Sequence, residues 1–165
     1  MFESRRILMT TDLSPLSFLA WDAALSLAQR FEVPLFVLHV LEKGRKAAVD
    51  EELSVAEDAI FKALRETCEQ RTDGGLVEVL VTSSSHVVKE ILDEVERLDV
   101  DLLVTATHGR TGLAGAVYGS TAEKLVRLCP VPVVSVRVKN LPRSPEDPAR
   151  EREEAIRRIL PLQGR

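Results

Sequence analysis

Short apolar runs alternate with amphipathic stretches along this chain, and the alternation predicts the fold class. Ile7 to Thr10 reads as a first strand, closed by the turn-forming Thr11-Asp12-Leu13-Ser14-Pro15. Ser14 followed by Pro15 is a helix-start signal, because a serine oxygen caps backbone N–H groups and proline suits the first helical position. Leu16, Leu19, Ala20, Ala23, Leu27 and Ala28 then fall on one helical stripe that ends near Phe31. Leu35 to Leu41 is apolar at every position but His39, the pattern of a strand buried on both faces of a parallel sheet. A polar linker around Lys43 to Lys46 leads to a helix from Glu51 to Arg71, with Leu53, Ala56, Ile60, Leu64 and Cys68 on a narrow buried face.

Asp73-Gly74-Gly75 breaks that helix. Val77, Val79 and Val81 mark a third strand whose polar positions place it near a sheet edge. Ser85 is the expected cap of the next helix, which turns Val88, Ile91, Leu92 and Val95 inward. Val100 to Thr105 is the fourth strand, Thr121 to Leu128 the fourth helix, and Pro130-Val131-Pro132 introduces a fifth strand, Val133 to Val138. Strands and helices alternating in this way predict an α/β fold: a doubly wound, five-stranded parallel sheet with helices on both faces. In such sheets ligands bind beyond the carboxyl ends of the strands, where strand order reverses. With the order 3-2-1-4-5, the turns after the first and fourth strands face each other there.

The second of those turns is the main chemical signal. Ala106 to Ser120 carries Gly109, Gly112, Gly115 and Gly119 between a strand end and a helix start. Bare backbone N–H groups and a helix N-terminus form a site for phosphate. Arg110 is the nearest cation and reads either as a phosphate partner or as a solvated loop arginine. Ser120 reads as a helix cap or a phosphate ligand, and His108 as a residue bonded to backbone or a ligand contact.

Composition narrows the partners. The 165 residues fit one domain, and 45% hydrophobic with 29% charged residues fit a soluble globular chain. A net charge of -4 and an aromatic content of 4% speak against nucleic acid as a partner. No signal-peptide run and no membrane-length apolar stretch stands out, and two separated cysteines, Cys68 and Cys129, read as reduced thiols, so a cytoplasmic location without membrane contact is expected. Cys68 reads as core and Cys129 as a buried residue at a helix end. His39, His86 and His108 have no metal spacing. Residues 1–139 make up the expected domain. Residues 140–165 form an extension in which Leu141-Pro142-Arg143-Ser144-Pro145 is a linker and the charged remainder is a mobile tail or a docking helix.

The Thr11-Asp12-x-Ser14 turn, the Leu38-His39-Val40 strand end, the glycine loop and the closing Pro-Val-Pro-Val-Val-Ser-Val-Arg strand together resemble the universal stress protein family over roughly residues 5 to 138. Its nucleotide-binding members carry Gly, two residues, Gly, nine residues, Gly, then Ser or Thr. Here Ala106 replaces the first glycine, while Gly109, Gly119 and Ser120 match. The resemblance implies ATP with Mg2+ as ligand. Thr11 and Asp12 would line the adenine side, with Val40 at the base and Ala106 near the ribose. Gly109, Gly119, Ser120 and Thr121 would hold the phosphates, and Arg110 stands beside them. It also implies a regulatory stress-response module that forms a homodimer through Val133 to Val138, although an internal sheet position explains those valines equally well.

Signatures of the Gly-x-x-x-x-Gly-Lys-Ser/Thr, Gly-x-Gly-x-x-Gly and Gly-x-Ser-x-Gly kinds are missing, and no acid–base pair emerges. Catalysis beyond slow ATP hydrolysis or autophosphorylation is not expected. The competing readings are a dimeric interaction module of the same fold that binds no nucleotide and an enzyme of adenylate chemistry on a related fold.

Overall fold

The computed structural model describes residues 5–14, 17–43, 50–72, 76–107 and 119–137. Five parallel strands, β1 (Ile7–Thr11), β2 (Leu35–Glu42), β3 (Val77–Ser84), β4 (Leu102–Ala106) and β5 (Val133–Val136), form one sheet in the order β3-β2-β1-β4-β5. Helices α1 (Ala20–Phe31) and α2 (Asp50–Glu69) cover one face, and α3 (Val87–Arg97) and α4 (Ser120–Leu128) the other. The strand period of two sorts the side chains between those layers. Ile7, Met9, Leu35, Val37, Leu102 and Val104 meet α1 and α2. Leu8, Phe36, Leu38, Val40 and Leu103 meet Ile91, Val95 and Leu125 on the opposite face. The predicted doubly wound sheet is therefore the observed one, with the reversal of strand order between β1 and β4.

Local deviations have physical causes. The Ser14 hydroxyl does accept a helix-start N–H, that of Ser17 at 3.1 Å. The turn it opens is a 3-10 helix, Ser17–Leu19, and α1 proper begins only at Ala20. A 3-10 helix has about 3 residues per turn against about 3.6, so it shifts the phase of the buried stripe. Ala20, Trp21, Ala24 and Ala28 are buried, Ala23 and Leu27 only half-buried, and Leu19 faces solvent. Leu16 lies outside the described residues. Ser85 does not cap α3. Strand β3 runs on to Ser84, whose carbonyl accepts the Lys43 N–H at 3.0 Å, and His86 occupies the cap position. Cys129 is half-buried rather than buried, because it closes α4 at the molecular surface.

Both cysteines are free thiols. Burial pushes the Cys68 thiol from the ordinary 9.0 up to about 12, against the opposing pull of the Arg71 guanidinium. That guanidinium stands 5.4 Å from the Phe18 ring centroid and 6.0 Å from that of Trp21, tying the end of α2 to the start of the α1 layer. The folded chain keeps the Cys68 proton at pH values where the unfolded chain has lost it, so unfolding releases a proton and stability falls as pH rises. The stability difference between the wild-type chain and Cys68→Ala is expected to be constant below pH 9.0 and to shrink as pH climbs towards about 12. Urea titrations at a series of pH values measure it, and a difference that widens with pH would reverse the sign of this account.

Candidate functional site

The carboxyl ends of β1, β2 and β4 open into a cavity of about 260 Å³ between the sheet and the α3–α4 layer. On the β2 and α3 side its wall is apolar, made by Leu38, Val40, Val87 and Ile91. Across the crevice lies the first turn of α4, where Gly119, Ser120, Thr121 and Ala122 line the same space. The first N–H groups of a helix have no intrahelical acceptor, and α4 has no side-chain cap bond at Gly119. Its N-terminus thus presents backbone donors and partial positive charge, the combination that attracts anions. Gly119 is held in place by its own N–H, which donates to the Thr107 carbonyl at 2.6 Å. Its φ of -69° and ψ of 148° are extended values open to any residue, so its lack of a side chain matters here for space and not for backbone freedom.

The turn after β1 is fixed by a dense set of bonds. Ser17 Oγ donates to the Ser14 carbonyl at 2.8 Å, so in the 2.7 Å contact between Thr11 Oγ1 and Ser17 Oγ the threonine supplies the proton. Thr11 Oγ1 also accepts the Leu13 N–H, and Asp12 Oδ1 accepts the Ser14 N–H, each at 3.0 Å. These bonds hold Leu13 at φ 64°, a left-handed conformation that is uncommon outside glycine. His39 Nδ1 lies 2.9 Å from the Thr11 carbonyl. A carbonyl only accepts, so Nδ1 carries the proton and ties β2 to the β1 turn. Asp12 is thereby placed at the crevice mouth, with Glu42 also on the cavity lining.

Of the residues singled out in the sequence, Thr11, Asp12, Val40, Ala106, Gly119, Ser120 and Thr121 line this one cavity. Gly109 and Arg110, with the rest of 108–118, lie outside the described residues, as do Val138 and the 140–165 extension. Ala106 stands where the nucleotide-binding pattern has glycine. It packs against the core cluster on the α1 side of the sheet, as its place two residues after Val104 requires. Its methyl group packs against that core at the strand's end, where the residue also lines the cavity. The lining also includes residues the sequence did not single out, Thr10, Thr105, Thr107, Ser17 and Val87, and Ile91, which the sequence placed in the core. Thr10 and Thr105 each follow an apolar run one residue short of the strand's end, and a polar residue closing such a run was the available signal.

Among the described residues no group of three or more His, Cys, Asp or Glu side chains could hold a metal ion. Magnesium is compatible with this donor set only if ligand phosphates supply most of its oxygens and Asp12 or Glu42 contributes a carboxylate. Also among the described residues, no helix is long and apolar enough to cross a membrane.

A doubly wound parallel sheet with an amide-lined crevice at its switch point defines a class of α/β ligand-binding domains. Residues 3–137 match the sequence profile of the universal stress protein family, and the chain belongs to that family. It is 32% identical over 145 residues to universal stress protein A homolog 1 of Coxiella burnetii, covering 82% of this chain and 97% of that one. A universal stress protein solved in complex with cAMP superposes with a TM-score of 0.61 at 18% identity, covering 82% of this chain and 98% of the other. A universal stress protein family protein from Arabidopsis thaliana with AMP bound gives a TM-score of 0.56 at 19% identity, covering 88% and 98%.

Proposed function

We propose that this universal stress protein binds an adenine nucleotide in the crevice between β1 and β4 and acts as a nucleotide-responsive regulatory module. One observation carries the reading: a single cavity joins an apolar slot, made by Leu38, Val40, Val87 and Ile91, to the amide-rich N-terminus of α4. A purine is flat and apolar on its faces and fits the first part, and a phosphate fits the second. The family neighbours solved with cAMP and with AMP support the same ligand class. Within this reading Thr11 and Asp12 flank the base and sugar, the Val40 strand end meets the base, Ala106 lies by the ribose, and Gly119, Ser120 and Thr121 receive phosphate. Gly109 and Arg110 extend the phosphate side. ATP with Mg2+ is the proposed full ligand. The ion would neutralise the phosphate charge at the α4 end of the cavity.

Calorimetric titration with ATP, AMP and cAMP, each with and without Mg2+, tests the proposal. Saturable binding of at least one of them at micromolar affinity is expected. Absence of heat for all three, together with no adenine compound released from the purified protein, would overturn the reading in favour of an interaction module that binds no nucleotide.

The homodimer is proposed through β5. The topology leaves β5 at the sheet edge rather than inside it. The Leu103 N–H donates to the Pro132 carbonyl and the Thr107 N–H to the Val136 carbonyl, each at 3.0 Å, so even-numbered residues of β5 face β4. The intervening Ser135 therefore directs its backbone groups outward, where a second β5 can pair. Ser135→Pro removes that outward donor without touching the ladder to β4. It is expected to convert the dimer to a monomer by sedimentation velocity. A variant that sediments like the wild type would exclude this edge as the interface.

A further inference from the structure

The floor of the cavity carries a polar feature that neither the apolar slot nor the α4 amides account for. Thr10 on β1 and Thr105 on β4 are both buried, at 8% and 5% exposure, and both line the cavity. Their hydroxyls are bonded to each other across the two strands at 3.0 Å. Neither is needed to pair those strands, because the backbone register from Ile7↔Leu102 to Met9↔Val104 already does so. Leu8 and Leu103, two residues earlier on the same face, make the corresponding contact as plain hydrocarbon. Two hydroxyls buried where two aliphatic groups would pack need a chemical reason.

We propose that the Thr10–Thr105 hydroxyl pair recognises a sugar hydroxyl of the bound nucleotide and makes the site selective for ribose over deoxyribose. The inference rests on the nucleotide reading above and adds a specificity element to it. Sheet order supplies the geometry. The apolar slot belongs to β2 and α3, the anion end to the N-terminus of α4 beyond β4, and β1 and β4 lie between them. A ligand with its base at one end and its phosphate at the other lays its sugar over the middle, where the two threonines sit. The chemistry agrees. Each threonine brings one proton and two lone pairs, and the mutual bond uses one proton and one lone pair. The pair therefore keeps one O–H donor and several acceptor positions. A phosphate only accepts and gains little from such a set, whereas a sugar hydroxyl both donates and accepts and matches it. A deoxy carbon facing the pair would leave those buried groups without the ligand partner, which is how a polar site rejects an analogue lacking a hydroxyl.

The test compares AMP, 2′-deoxy-AMP and 3′-deoxy-AMP by calorimetry on the full chain, with a thermal melt of each variant to monitor folding. The wild type is expected to bind AMP about tenfold more tightly than at least one of the two deoxy analogues. Thr10→Val/Thr105→Val replaces both partners by apolar groups of the same shape, so it leaves no orphaned hydroxyl. It is expected to bring AMP down to the level of that analogue while the analogue's own affinity stays unchanged. Thr105→Ser keeps the hydroxyl and should keep the discrimination. Thr105→Ala gives a second measure of the loss should the double variant fold poorly. Equal wild-type affinity for all three nucleotides would overturn the proposal and leave the nucleotide site standing. So would a double variant that weakens all three alike, since that marks a structural role alone. Failure of every nucleotide to bind would overturn the nucleotide reading, and this inference with it.

Discussion

Gly119→Val is expected to lower the affinity for adenine nucleotide by roughly ten- to hundredfold with only a small loss of stability. The backbone of Gly119 is extended, at φ -69° and ψ 148°, so a β-branched residue enters without a conformational penalty. The residue is half-buried and lines the cavity beside Ser120 and Thr121. An isopropyl group there occupies space a phosphate needs in order to reach the first N–H groups of α4. Overfilling a fitted site costs about 1–3 kcal/mol, and about 1.4 kcal/mol is a factor of ten in affinity. The stability effect is expected to be smaller because glycine is only a moderate cap and its own N–H bond to the Thr107 carbonyl, at 2.6 Å, involves no side chain. Calorimetry with ATP and a denaturant titration separate the two effects. An unchanged affinity would mean that the ligand does not use the α4 N-terminus.

The sheet was legible in the sequence because its strands are buried by helices on both faces, and that burial writes itself as continuous apolar runs such as Leu35 to Leu41. The phase of α1 was not, since a 3-10 turn leaves no composition signal and shifts the stripe from Ala23 and Leu27 to Trp21 and Ala24. The four valines and serine around β5 were ambiguous for a different reason. Edge and interior strands share β-branched residues, and only the topology, in which β5 follows β4 outward, decides between them. At the crevice, the turns after the first and fourth strands were legible from the rule that ligands sit where strand order reverses, whereas Val40 and Ala106 were singled out only through the family resemblance. Thr10 and Thr105 were harder to see: threonine is an ordinary strand former, and only the meeting of two neighbouring strands turns two such residues into a bonded pair. Ile91 was read as core and does belong to it, but it also forms cavity wall, a double role that periodicity cannot separate.

Leu125→Ala is expected to reduce unfolding free energy by about 2–5 kcal/mol, a large part of the roughly 5–15 kcal/mol that holds a domain of this size together. Leu125 is fully buried, and with Ala122 it makes up the buried side of α4. It packs in the cluster of Leu8, Leu103, Ile91 and Val95, so it joins α4 to both the sheet and α3. Truncation leaves a void lined by that cluster, and a helix of only nine residues has little intrinsic stability with which to resist loosening. The consequence extends to the site. Gly119, Ser120 and Thr121 reach the crevice only because α4 is pinned in this position, so the variant should also bind nucleotide more weakly even under conditions where it is fully folded. A neighbouring control, Val126→Ala, removes an exposed side chain from the same helix and should change neither quantity appreciably. Chemical denaturation followed by calorimetry at low temperature distinguishes the outcomes. A Leu125→Ala chain that is destabilised yet binds with wild-type affinity would show that the anion end of the crevice does not depend on the packing of α4.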